Sequence, residues 1–283
     1  MMNRQLFDRV IQERILDFMP PIYHEYTPTI QQIEKVNETK DALTLEPQDR
    51  KSNEPVPMIY LDDMYEVFRE DEDLDELLRF IANIFMNNIY RTPPMADPTF
   101  DFSRVRDKVV LQLIDRRRNA RLLETLPHTN ICGMAAIYRI MMRLNDDGMD
   151  SVVINEGIMK DMGLDVDELH MLALENTAYV MEPEIITLDK GAYMVTNKYR
   201  IYGAANMMLD DIMNELAEKL DDDRFFIIPC SMHEFIAVPQ RTSRLENLKQ
   251  MLAEGNRDFT EDKDILSNEI YAYDRNTGKL QTA

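Results

Sequence analysis

FFIIPCSMHEFIAVP, residues 225–239, reads as two apolar strands meeting at a polar corner. The runs Phe225–Ile228 and Phe235–Val238 are β-branched and aromatic, each is short, and a proline follows the second. Between them stand Cys230, Ser231, His233 and Glu234. Strand alternation puts Cys230, Met232 and Glu234 on one face and Ser231, His233 and Phe235 on the other, unless the chain breaks at a turn near Ser231 to Glu234.

The same grammar recurs on both sides. ICGMAAIYRIMMRL and SVVIN flank NDDGMD, whose Asn, Asp and Gly tolerate turn backbone angles. EIITLDKGAYMVTN turns at Asp189 to Gly191, and NEIYAYDRNTGKLQTA closes over NTG. Helical spacing separates these hairpins in NEGIMKDMG, DVDELHMLALENTAYVM, GAANMMLDDIMNELAEKLDDD and SRLENLKQMLAEG, the last with a glycine stop. Strand and crossover-helix alternation is missing, so the expectation is α+β, with mainly antiparallel hairpins alternating with amphipathic helices.

Towards the N-terminus, Phe7, Val10, Ile11, Ile15 and Phe18 make a helix stopped by Pro20 and Pro21. TIQQIEKVNETKDALTLEP predicts two short strands around Asn37 to Asp41, and the proline-punctuated SNEPVP predicts a linker. MIYLDDMYEVF predicts a strand entering a short helix. LDELLRFIANIFMNNIY is a helix with Leu74, Leu77, Leu78, Ile81, Ile84, Phe85 and Ile89 on one side, ended by the loop RTPPMADPTF. FSRVRDK is a short helix, VVLQLID a strand, and RRRNARLLETLP a helix. The expected organisation is an N-terminal helix and strand region, 1–125, and a C-terminal α+β domain, 126–283, which can pack as one unit.

Composition narrows the partners. With 32 basic and 52 acidic residues the 283-residue chain has a formal charge of −20, which opposes direct nucleic-acid binding and anionic membranes and favours a protein partner that is basic or neutral. No apolar run approaches the roughly 20 residues of a membrane span. Two distant cysteines without an apolar leader suit the cytoplasm. Twenty-one methionines are present. Met134, Met141, Met159, Met171 and Met208 fall inside apolar-periodic segments, so core filling is the expected role.

Motifs for common chemistry are missing. No Gly-rich phosphate cradle, C-x-x-C, H-E-x-x-H or G-x-S-x-G is found. The run Glu70 to Leu77 alternates acids, but an EF-hand register from Asp71 meets Glu76 and Ala82 where Gly and Glu are required. It reads as a helix start favoured by the macrodipole. Arg116 to Arg118 read as a solvated face, and His170 as a partly exposed structural histidine. No catalytic residue, cofactor or metal site is assigned. Cys230 and His233 lack the geometry of a thiol nucleophile and base if they lie on opposite strand faces.

The segments PMIYLDDMYEVF, LPHTNICGMAAIYRI, NEGIMKDMGLDVDELHMLALENT, YMVTNKYRIYGAANMM, CSMHEFIAVP and LSNEIYAYDRNTGKL, in this order and spacing, resemble an uncharacterised bacterial family common in gut Firmicutes, domain of unknown function 5688. The resemblance implies no activity and no cofactor. It implies serine more often than cysteine at position 230, with His233 and Glu234 matching. Candidate contacts are His128, Asn197, Arg200, His233 and Glu234, with Asn197 and Arg200 in a loop before a helix start where backbone amides can receive an anion. The leading expectation is a non-enzymatic cytoplasmic binding or regulatory protein acting through protein or small-ligand contacts. A hydrolase-like enzyme using His128 or His233 with Glu234, and an acidic nucleic-acid mimic, are the alternatives. The oligomeric state is left open.

Overall fold

The computed structural model describes residues 2–47, 57–71, 73–88, 100–145, 148–188 and 191–283. The linker expected at SNEPVP and the loop RTPPMADPTF fall largely outside the described residues. So do the tips of the turns at 146–147 and 189–190, and Ile89. Two compact units are formed, Met1–Asp101 and Phe102–Ala283.

In the first unit Asn3 caps α1 (Arg4–Arg14), its Oδ1 accepting the Leu6 N–H at 2.9 Å. Phe7, Ile11 and Ile15, at helical spacing, are fully buried. β1 (Tyr26–Lys35) and β2 (Glu38–Pro47) pair antiparallel along ten residues each, around Asn37 in the left-handed region. They are longer than the short strands expected, and in β2 four consecutive residues, Ala42 to Leu45, are buried. β3 (Met58–Tyr60) adds to β2, and α2 (Leu61–Asp71) and α3 (Leu74–Asn88) follow. Leu78, Ile81 and Phe85 of α3 meet Phe7, Ile11 and Leu43 in one cluster.

The second unit starts earlier than the expected boundary near 125. β4 (Val109–Asp115) pairs along its whole length with β6 (Met134–Asn145), so it belongs with the later chain. β5 (Thr129–Ile131) and β7 (Gly148–Val153) share the other edge of β6, completing a four-stranded sheet. Between β4 and β5 the expected helix shrinks to α4 (Ala120–Leu123). Asp115 Oδ1 accepts the N–H groups of Arg117 and Arg118 at 2.7 and 2.8 Å, which ties those residues into a turn instead.

α5 (Glu156–Asp161) and α6 (Val166–Met181) follow, α6 opening on a capping box of Asp165 and Glu168. His170 on α6 bonds the Tyr138 hydroxyl at 3.1 Å. Burial lowers the pKa of His170, outweighing the attraction of Asp167. A base depressed in the folded state binds its proton more readily when unfolded. Stability contributed by His170 is therefore present above the ordinary histidine range near 6.5 and is lost as pH falls below it. Urea midpoints measured across pH 7 to 5 should fall less for His170→Gln than for the parent, and parallel curves would refute this.

β8 (Pro183–Thr187), β9 (Tyr193–Asn197), β10 (Arg224–Ser231), β11 (Glu234–Pro239), β12 (Tyr271–Asp274) and β13 (Lys279–Thr282) form an antiparallel sheet in the order β13-β12-β10-β11-β9-β8. The FFII run is the central strand, buried from Phe225 to Ile228. The expected long helix from Gly203 splits into a 3-10 segment, Gly203–Met208, and α7 (Asp210–Leu220), because Leu209 is extended. α8 (Leu245–Asp258) runs through Gly255, past the expected stop. The α+β reading with antiparallel hairpins holds throughout. Met134 and Met141 are core residues, whereas Met171 is 57% exposed on α6. No described helix is long and apolar enough to cross a membrane.

Candidate functional site

Pro229 cannot donate to a ladder, and the β10–β11 register slips by one residue between Ile228 and Ser231. Ser231 then pairs with Glu234 across the two-residue turn Met232–His233. Alternation is broken by this bulge and turn, so Cys230, Ser231, His233 and Glu234 all border one cleft instead of separating onto two faces.

His233 is tied down at every polar atom. Its N–H donates to Ser231 Oγ at 3.0 Å, and its carbonyl accepts the Thr196 hydroxyl at 2.9 Å. Ring Nδ1 accepts the Tyr202 backbone N–H at 3.1 Å, which leaves Nε2 to carry the proton and donate to Asp264 Oδ1 at 3.2 Å. The Tyr202 ring stacks on the imidazole at 5.9 Å and 23°, and Arg139 lies over the Tyr202 ring at 5.3 Å. Met232 adds two backbone bonds, its N–H to the Asp264 carbonyl and its carbonyl to the Ala204 N–H. With both ring nitrogens engaged, His233 is built as a keystone and has no free lone pair for a substrate proton.

The approach of the 3-10 segment explains Gly203. A Cβ there would fall on the His233 carbonyl oxygen and within 2.8 Å of Thr196 Cα and Oγ1. Only glycine lets the two backbones touch.

Cys230 leans into the apolar cluster of Phe226, Ile228, Leu248 and Leu252. Burial, with Glu234 adding repulsion, pushes its thiol up to about 12. The thiolate needed for nucleophilic or metal chemistry is thereby suppressed. At pH 8, alkylation of Cys230 in the folded protein should be on the order of a thousandfold slower than for an unperturbed thiol. Mass spectrometry of iodoacetamide-treated native protein tests this, and rapid labelling at Cys230 would overturn it.

The cleft beside the corner encloses about 400 Å³, within the range of small-molecule sites. One wall is Ile228, Ile236 and the corner. The other is α8, with Met251, Leu252, Gly255 and Asn256, and the rim continues past its end through Phe259, Thr260, Glu261 and Asp264. Phe259 is 88% and Met251 56% exposed, so the mouth is apolar and open to solvent. Asn256 is only 8% exposed. Its Nδ2 donates to the Ser267 carbonyl at 3.0 Å and to Asn268 Oδ1 at 2.9 Å, fixing the amide, while its Oδ1 is buried without a hydrogen-bond partner.

The other candidates lie elsewhere. His128 donates Nδ1–H to the Leu126 carbonyl at 2.9 Å and does not border the cleft. Asn197 is buried and turned inward, Oδ1 accepting from Tyr199 and Ile201 and Nδ2 donating to the Ile201 carbonyl. Its amide shapes the loop 198–202. Arg200 is exposed on that loop in the left-handed region. His233 and Glu234 are thus the pair that the cleft brings together. Tyr202, Asp264 and Asn256 were not picked out in sequence. Asn256 carried a signal: the α8 stripe Leu245, Leu248, Leu252 continues onto it at helical spacing, a polar residue in an apolar phase. Among the described residues no group of three or more His, Cys, Asp and Glu side chains could hold a metal ion.

Fold and site together define an α+β protein with antiparallel sheets and a cleft built at a locked hairpin corner. The chain belongs to the family of unknown function DUF5688, whose model matches residues 4–191 and 186–275. No curated protein and no solved structure matches it.

Proposed function

We propose that this is a non-enzymatic, cytoplasmic binding protein of bacterial origin whose ligand occupies the cleft between the His233 corner and α8. The observation that carries this reading is the cleft itself, about 400 Å³ with an apolar wall and an exposed apolar mouth beside Glu234, which has no ion-pair partner among the described residues. The locked His233 and the suppressed Cys230 thiol support binding over hydrolysis, since the imidazole and the thiol are both committed to the fold. Mimicry of nucleic acid receives less support, because acids such as Asp8, Asp62, Asp150 and Asp274 are interleaved with the arginines they pair with.

Met251 supplies the test. In protein labelled with ¹³C at methionine methyls, a fragment set of cationic, neutral and anionic small molecules should contain members that shift Met251 saturably and leave buried Met134 unmoved. Absence of any saturable shift at Met251 would overturn the proposal.

A further inference from the structure

The lining of the cleft narrows the ligand's chemistry, on the footing that the cleft is the binding site. Glu234, Glu261 and Asp264 border it, and no lysine or arginine among the described residues does. Glu261 is committed to Lys263 at 2.7 Å, and one oxygen of Asp264 to His233. Glu234 has no ion-pair partner among the described residues. Apart from the Ser231 hydroxyl, which accepts the His233 N–H and keeps its own proton, the uncommitted side-chain groups are the carboxylate oxygens of Glu234 and Asp264. An incoming anion would meet like charge, with the Ser231 hydroxyl as the one uncommitted side-chain donor among the described lining residues.

The rest of the surface is aliphatic and aromatic. Ile228, Ile236 and Leu252 line the walls of the cleft, and the exposed Phe259 and Met251 frame the mouth. We infer that the ligand is an alkylammonium group: a protonated amine, with three donors and no acceptor, on an aliphatic chain that the apolar wall covers. Phe259 offers a ring face that such a cation can approach. Divergent single acceptors favour the compact, rotatable ammonium over a planar guanidinium, which recognises paired oxygens in one plane. The same chemistry is carried by free alkylamines and by lysine side chains of a partner protein.

The full chain, labelled at methionine methyls, is titrated with n-hexylammonium, hexan-1-ol and hexanoate, and with Nα-acetyl-lysine N-methylamide. The ammonium should saturate Met251 at a concentration about tenfold or more below the alcohol, and hexanoate should leave it unmoved. Glu234→Gln, at a half-exposed position, should weaken hexylammonium roughly fivefold and leave hexan-1-ol unchanged. If hexan-1-ol or hexanoate binds as well as the ammonium, or if Glu234→Gln has no effect on it, the inference falls while the binding cleft stands. If no probe moves Met251, both fall. Tighter binding of the free amine than of the blocked lysine assigns a small-molecule source, and the reverse order assigns a lysine of a partner.

Discussion

Gly203→Ala is expected to destabilise the second unit by about 3 kcal/mol, the upper end of the range for overpacking. A Cβ at this position meets backbone, the His233 carbonyl and Thr196 Cα, as well as Thr196 Oγ1. Side chains can rotate away from an intruding methyl, but two paired backbones cannot. Moving either would stretch the Ala204 N–H bond to the Met232 carbonyl and the Thr196 hydroxyl bond to His233. Urea unfolding should show the midpoint lowered with an unchanged slope. Gly255→Ala is the matched control, because an added Cβ there meets nothing within 4 Å. In a helix that change should stabilise by up to about 1 kcal/mol. Equal effects at the two glycines would refute the close-approach account.

His233→Ala should cost about 2–3 kcal/mol. It strips the Tyr202 N–H of its acceptor, deprives Asp264 of a donor and removes the ring stacked on Tyr202. The local readout separates this from a general loss of packing. Hydrogen exchange of the Tyr202 amide should rise well beyond that of core amides in β10 such as Phe226. Protection of Tyr202 retained in the variant would show that the imidazole is not its acceptor.

Much of the architecture was legible because it rests on period and punctuation. The hairpins over Ser231 to Glu234 and over NTG, and the stripe of α3, are local patterns whose residues meet neighbours in sequence. What failed was decided by distant partners. β4 looked like part of an N-terminal region until its pairing with β6 placed it in the later one. The break at Leu209 follows from burying the Gly203–Met208 segment against the corner, which helical periodicity in the sequence does not encode. The site was half visible. His233 and Glu234 announce themselves as polar residues in an apolar hairpin, but Asp264 and Tyr202 reach His233 from 31 residues away on either side. Asn256 was hidden by ending the helix at Gly255.

Those two spans of 31 residues have a kinetic consequence. Bringing Tyr202 and Asp264 onto one imidazole closes two loops, and the closure entropy is spent before the bonds can return it. The corner is therefore expected to form after the transition state for folding, so that His233→Ala accelerates unfolding while leaving the refolding rate nearly unchanged. A ligand seated against such a late-forming corner would act on the lifetime of the folded protein and hardly at all on how quickly the chain finds it.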